Sequence, residues 1–423
     1  MRWSLRWERV PLRWEKRMSG DVRTSAPLWT RAMAAVLAAQ FLSALADNAL
    51  LFGALALLKI RHYPDWSQPL LQEFFVGAYI LLAPFVGPFA DSRSKGGVMF
   101  IANGLKVLGG LGMCLGLNPF VAYGLVGVGA AAYSPAKYGI LSELTSPERL
   151  VQANGLMESS TIAAILIGAI TGGLLADWNV SGALVIVTLC YCGAAGANLL
   201  IPKLPPARAV SSMSIPTLFR EFTQATRDLV KIPDARFSLV GTSVFWGAGA
   251  TLRFLLVAWV PIALGVTTNA MPAYLNATVA IGIVIGAGLA GKFITLQSAD
   301  RSLPAGVLIG LAVCLLAGTT NIPVAFGVVT VVGACGGFFL IPLNALLQER
   351  GHQSVGAGNA IAVQNLCENS VMLLMIGFYI SIVRAGASIS VVAASFGAAV
   401  SLAIACLWIY RRRSTRARSG PVG

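Results

Sequence analysis

The sequence predicts an all-α membrane protein, with twelve transmembrane helices arranged as two six-helix halves. Three observations carry that prediction. Of the 423 residues, 56% are hydrophobic and only 11% charged, with a mean hydropathy of +0.74, whereas a soluble domain carries about 25% charge. Apolar runs recur at the length of about 20 residues that a helix needs to cross a bilayer. The third observation is the placement of positive charge. The formal net charge is +14, but the Lys and Arg residues sit in short loops between apolar runs. Nucleic-acid binders gather them on one face instead. Lys59, Arg61 and Arg384 fall on one side of the membrane, Lys106, Lys137 and Arg253 fall inside spans, and every other basic residue falls on the opposite side. The basic side marks the cytoplasm, so both termini are expected there.

Taken in order, residues 1–30 form a cytoplasmic segment without the uninterrupted apolar core of a cleavable signal peptide. Within it, Trp3, Trp7 and Trp14 interleave with Arg2, Arg6, Arg9 and Arg13. Two readings stand: a segment binding anionic lipid at the membrane interface, or a chain that truly starts at Met18. Spans are then expected at 31–58, 70–91, 97–117, 119–142, 150–176 and 181–202, making an N-terminal half over 31–202. Residues 203–234, the longest polar interval, hold Pro205, Pro206, Pro216 and Pro233 and read as a cytoplasmic linker. The C-terminal half, 235–410, holds spans at 235–264, 272–296, 303–318, 321–347, 355–384 and 388–410. A basic cytoplasmic tail, 411–423, closes the chain. His62 and His352 both fall in loops, which argues against a histidine-ligated metal or a membrane-embedded histidine base. The seven cysteines, an odd number within apolar segments, read as free thiols. No cofactor is expected.

The halves repeat weakly at an offset of about 206 residues. Pro135-Ala136-Lys137 matches Pro342-Leu343-Asn344, and Asn154-Gly155 matches Asn359-Ala360. Parallel six-helix repeats resemble the major facilitator architecture, which binds substrate between the halves near the midplane. Gly87-Pro-Phe-Ala-Asp91-Ser-Arg93-Ser-Lys95-Gly96, between spans 2 and 3, resembles in part the loop signature of that architecture. Its implied role is gating of the cytoplasmic face, assigned to Asp91 and Arg93.

An ionisable group at membrane depth costs about 2.5–3.5 kcal/mol on insertion scales, so each is a functional candidate. Asp47 lies near the centre of span 1 and Arg253 at the equivalent point of span 7, 206 positions on. They are expected to face each other across a central cavity, and a buried ion pair between them is the competing structural reading. Glu158, Glu368 and Lys137 lie in spans 5, 11 and 4, Lys137 just after the helix-breaking Pro135. Lys106 reads first as structural. Asn48, Asn344, Gln364, Asn365 and Asn369 add neutral hydrogen-bonding groups. Arg253 and Lys137 suit an anion, the guanidinium fork matching phosphate oxygens. Asp47 and Glu368 suit an amine or a coupling proton. A substrate with both groups uses both sets, which fits phospholipid head groups, amino acids, phosphorylated metabolites and many drugs alike.

Four longer runs narrow this: Gln40–Phe52, Ala131–Ile140, Phe245–Leu256 and Val355–Asn365. They resemble the bacterial lysophospholipid transporter family of the major facilitator superfamily, and the similarity runs from about Leu28 to Trp408. The resemblance implies a non-enzymatic flippase of the Gram-negative inner membrane. Such a protein moves lysophosphatidylethanolamine and lysophosphatidylglycerol from outer to inner leaflet by alternating access, and a cytoplasmic acyltransferase/acyl-carrier-protein synthetase reacylates them. By position it implicates Asp47, Asn48, Lys137 and Arg253, with Glu368 in the polar run of span 11, while Cys367 stands where glycine is expected. The glycines of span 8 (Gly282, Gly286, Gly288, Gly291) would permit the sliding that gating needs. A proton-coupled exporter of cationic amphiphiles, using Asp47 or Glu368, is the alternative in the same fold. A membrane-embedded acyltransferase lacks an intraspan histidine, and a scaffold for the soluble acyltransferase leaves the buried charges without a purpose.

Overall fold

A computed structural model describes residues 28–63, 68–206, 214–266 and 270–418. The expectations for residues 1–17, and nearly all of the 1–30 segment, lie outside the described residues. Among those described there are thirteen α-helices and no strand: α1 (Arg31–Ile60), α2 (Gln68–Asp91), α3 (Lys95–Cys114), α4 (Pro119–Leu144), α5 (Leu150–Trp178), α6 (Val180–Leu199), α7 (Ile215–Lys231), α8 (Pro233–Ala263), α9 (Ala270–Phe293), α10 (Leu303–Ala317), α11 (Ile322–Gln353), α12 (Ala357–Arg384) and α13 (Ile389–Arg418). Every helix but α7 starts within two residues of an expected span. Caps explain several starts. Thr30 accepts a hydrogen bond from the Met33 amide at 3.1 Å, and Asn179 accepts one from Gly182 at 2.6 Å. Asn118 and Asn321 do the same for α4 and α11, each with a proline in the first turn, where its missing N–H costs nothing.

Eleven stretches are long and apolar enough to span a membrane, one of them being α10 together with the 3-10 turn Leu296–Ser302 that leads into it. The twelfth, α4, has the length at 26 residues but carries Tyr133, Ser134, Lys137 and Tyr138. Its polar residues are covered by neighbouring helices rather than lipid. Pro135 does not break it, contrary to expectation: α4 continues to Leu144, because neighbouring helices and local adjustment absorb one lost hydrogen bond at membrane depth.

The interval expected as a polar linker holds α7, whose Leu218, Phe222, Ala225 and Leu229 recur at helical spacing and are buried. Pro216 lies in its first turn and Pro233 follows its end, so the two prolines bound this helix instead of preventing it.

Packing is lopsided along the bundle. One continuous apolar core joins both halves where α2, α4, α9 and α11 end and α5 and α12 begin; Val86, Ala136, Met157, Ala287, Leu347 and Ala360 belong to it. Away from that end each half keeps its own core, around Leu50, Tyr123 and Tyr191 in the first and Leu256, Trp259 and Phe339 in the second. Along α12 the change is abrupt: every residue from 357 to 364 is buried, and none from 369 to 383 is. The halves therefore meet at one end, called the closed end below, and part towards the other.

The span-8 glycines do something other than allow sliding. A Cβ on Gly282 or Gly286 of α9, or on Gly333 or Gly337 of α11, would run into the facing helix's backbone. These four weld two helices of the same half. Gly291, by contrast, faces Gln152 of the other half, where a Cβ would sit 3.3 Å from its Cα. Three of the seven free cysteines, Cys114, Cys192 and Cys406, are exposed on apolar helices rather than buried.

Candidate functional site

At the closed end, Asp91 terminates α2 with its carboxylate against the start of α12. It accepts hydrogen bonds from the backbone amides of Gly358 at 2.9 Å and Asn359 at 3.2 Å. A helix N-terminus presents unsatisfied N–H groups and a partial positive charge, so an anion there is doubly favoured. The fit requires glycine. Gly356 has φ +95, and a Cβ on Gly356 or Gly358 would collide with the carboxylate. Lys95, the first residue of α3, donates to Asp91 at 2.5 Å and to the Ala90 carbonyl at 2.9 Å. Its ammonium also lies 4.0 Å from Glu143 at the end of α4. The structure thus places Asp91 in an inter-half clamp but leaves Arg93 outside it. Arg93, in the connection between α2 and α3, is exposed and stacks on Phe89 of α2, 4.9 Å from the ring centroid; Lys95 holds the place expected of it.

Two further polar contacts cross the halves. Asn154 of α5 and Gln348 of α11 exchange a reciprocal amide pair at 2.9 and 2.7 Å, and both side chains are buried. Asn365 of α12 donates to Ser134 of α4 at 3.1 Å.

Deeper in the bundle, Asp47 does not pair with Arg253. Its carboxylate meets the Lys106 ammonium at 2.7 Å and accepts from the Tyr191 hydroxyl at 2.9 Å. Lys106 also donates to Ser43 at 2.9 Å, and Ser43 to Asn103 at 2.8 Å. The network ties α1, α3 and α6 of a single half. Equivalence in the repeat sets height along the bundle but not the rotation of a side chain about its helix. Asp47 points inward among its own half's helices, where Lys106 supplies the countercharge. Asn48 spends its amide on its own helix, donating to the Ala44 carbonyl at 2.8 Å.

Arg253 is exposed on α8, which packs on α11, α12 and α13 and leaves the arc carrying Arg253 uncovered. Among the described residues its guanidinium makes neither an ion pair nor a hydrogen bond.

The remaining candidates converge near the floor of the parted region. On one side, Tyr138 of α4 donates to Glu158 of α5 at 2.9 Å. Lys137 lies over the Tyr138 ring, its ammonium 4.3 Å from the centroid. On the other side, Gln364 of α12 donates to Asn344 of α11 and to Glu368, each at 2.7 Å. Glu158 and Glu368, one from each half, are both buried. Lys137 is only 8% exposed, yet among the described residues its ammonium has no ion pair and no hydrogen bond. Leaving a buried ammonium unpaired is costly, so the arrangement is suited to an anion that arrives with its own charge, while carboxylates from both halves stand ready for a cation.

Comparison with known proteins fits this geometry. The family model described as Major Facilitator Superfamily matches residues 36–376. The lysophospholipid transporter LplT of Klebsiella pneumoniae subsp. pneumoniae is 60% identical over 396 residues, covering 94% of this chain and all of the relative. The chain belongs to the lysophospholipid transporter family of the major facilitator superfamily. LplT of Escherichia coli O1:K1 is 59% identical over the same share. Among solved structures, the fucose transporter FucP in its outward conformation aligns with TM-score 0.70 at 15% identity, covering 90% of this chain and 98% of that one. A bacterial homologue of the iron transporter ferroportin aligns with TM-score 0.70 at 18% identity, covering 92% and 100%. At such identities the likeness speaks for the fold.

Several residues of this arrangement were not singled out from the sequence. Gln348 sits in the polar last turns of α11 and reads as solvated; only its burial reveals the latch with Asn154. Tyr138 and Tyr191 look like ordinary aromatic core. Lys106 carried a usable signal, since it is as deep in its span as Asp47.

Proposed function

We propose that this protein is a lysophospholipid transporter, moving lysophosphatidylethanolamine and lysophosphatidylglycerol between leaflets by alternating access. The observation that carries the reading is Lys137, which is 8% exposed and whose ammonium has neither an ion pair nor a hydrogen bond among the described residues. The phosphate sits between Lys137 and Arg253. The ethanolamine ammonium, or the glycerol hydroxyls, sits against Glu158 and Glu368 with Asn344 and Asn48 adding hydrogen bonds. Asp47, neutralised by Lys106, positions Tyr191 and the cavity wall, and its remaining exposure of 19% leaves it in reach of an amine. A single acyl chain is about as apolar as the lipid core, so only the head group needs a polar path.

Asp91 gates the closed end through the α12 amides, and Arg93 lies at its edge. The basic loops put that end in the cytoplasm, with both termini there, in the inner membrane of a Gram-negative cell. The boundaries 31–202 and 235–410 then mark two rocking bodies, and 203–234 with α7 is their connection. No covalent chemistry is assigned to the chain; a cytoplasmic acyltransferase/acyl-carrier-protein synthetase consumes what it delivers. The test is reconstitution in vesicles carrying fluorescent lysophosphatidylethanolamine, read by access of a membrane-impermeant quencher. Protein-dependent loss of leaflet protection is expected. Transport of cationic amphiphiles that collapses with an uncoupler, without lysolipid movement, would instead favour the proton-coupled exporter.

A further inference from the structure

Helix α7 is the one long helix that the transport cycle above leaves without a task of its own. It follows the end of α6 and precedes α8, so it lies at the closed end, where it packs on α2 of one half and on α8 and α12 of the other. Its circumference divides into stripes. Leu218, Phe222, Ala225 and Leu229 are buried against the bundle. Beside them runs a second apolar stripe that nothing covers: Ile215 is 63% exposed, Phe219 49% and Val230 42%. Next comes a basic stripe of Arg220, Arg227 and Lys231, all exposed. Lys231 is partnered by Asp228 at 3.3 Å, whereas Arg220 and Arg227 have no ion pair or hydrogen bond among the described residues. The two lie seven positions apart, hence on one face roughly 10 Å from each other. With Phe219, Thr223 and Gln224 they line an open hollow of about 400 Å³.

The height of this helix relative to the membrane follows from one contact. The Phe219 ring meets the Phe85 ring of α2 edge-on, with centroids 5.5 Å apart. Phe85 continues a stripe along α2 formed by Leu70, Phe74 and Leu81, which are 36%, 48% and 74% exposed. An exposed apolar stripe of that length on a spanning helix faces lipid. Phe219 therefore sits at the lipid-facing rim, with the bare apolar stripe turned towards acyl chains and the unpaired arginines one step further out, at head-group level.

We propose that α7 is an interfacial helix that binds anionic phospholipid head groups of the closed-end leaflet through Arg220 and Arg227, with Ile215, Phe219 and Val230 anchored in the acyl boundary. The sequence of stripes is the signature of a helix lying in an interface: apolar flank, then basic flank, on a helix of low overall hydrophobicity. Two unpaired guanidiniums beside apolar anchors match phosphodiesters of a negatively charged leaflet better than they match solvent. Because α7 also touches both halves, the lipid it binds becomes part of the connection between them. The proposal rests on the placement of the helix and not on the transport reading.

Hydrogen exchange of the full chain in vesicles tests it without relying on transport. The peptide covering α7 is followed in phosphatidylcholine alone and in phosphatidylcholine with about one-quarter phosphatidylglycerol. Exchange is expected to slow on the order of tenfold with the anionic lipid. Roughly 0.5 M salt should erase the difference. In R220Q/R227Q the phosphatidylcholine rate should be unchanged and the phosphatidylglycerol effect absent. Equal exchange in the two lipids would overturn the proposal and turn the basic stripe towards a soluble partner or solvent. Slowing that persists in R220Q/R227Q would overturn the assignment to these residues.

Discussion

Replacing Gln348 with leucine strands Asn154 in a buried site, and the consequence can be worked through. In the closed state the two amides satisfy each other through bonds of 2.9 and 2.7 Å with both side chains buried. Removing one partner leaves the other's donor and acceptor without water, at a cost of about 1–3 kcal/mol. When this end opens, Asn154 is hydrated and the cost vanishes. The penalty therefore falls on the closed state alone and shifts the equilibrium towards opening by about 5- to 150-fold. Replacing both residues with leucine leaves two apolar side chains in contact, and closure should return to within roughly 1 kcal/mol of the parent. Spin labels at Lys203, just beyond α6, and His352, in the last turn of α11, both exposed near this end, report the separation by pulsed dipolar spectroscopy in a cysteine-free background. A longer-distance population is expected in Q348L and N154L and should shrink in the double variant. Unchanged distances in the single variants, or a double variant as open as either, would refute the latch.

Other consequences are as concrete. Lys106→Met leaves Asp47 charged and unpaired among buried tyrosines and should cost about 3–5 kcal/mol, read as a large drop in the thermal midpoint; K106M/D47L should recover much of it. Asp91→Asn keeps the shape of the clamp but loses the charge that the α12 amides and Lys95 bind, weakening closure by about 1.5–3 kcal/mol in the same distance measurement. Gly286→Leu should prevent α9 from reaching α11 at all, giving protein that fails to elute as a monodisperse species, whereas Gly288→Leu, at a position with open space around it, should be tolerated.

Most of the architecture was legible in the sequence because a membrane imposes a length. A run must reach about 20 residues before it crosses, and loops between runs are short, so starts such as Pro119 and Leu150 could be read to within two residues. Helix α7 is hidden in the sequence because its four buried positions are thinly spaced in a polar, proline-containing stretch, although Pro216 and Pro233 bound it. The site was legible in kind and less so in pairing. That Asp47, Lys137, Glu158, Arg253 and Glu368 are functional candidates follows from the cost of burying charge. Which charge meets which depends on rotation about each helix. Asp47 turned towards Lys106 instead of Arg253 for that reason, and Lys95 instead of Arg93 reached Asp91 because, after a three-residue connection, it begins α3 beside the end of α2. The Asn154–Gln348 pair joins residues 194 positions apart, a contact that no local pattern encodes.

In the proposed cycle the lysolipid phosphate is received by Lys137 and Arg253, neither of which has an ion pair or a hydrogen bond among the described residues. The decisive comparison is the initial rate of lysophosphatidylethanolamine flipping in vesicles for the parent chain, Lys137→Met and Arg253→Ala, with distance distributions checked for each. A loss of roughly 10- to 150-fold in each variant, as expected when a charge-assisted contact is removed, with the fold and closed-end distances unaltered, is the predicted result. Flipping at the parental rate in both variants would contradict it.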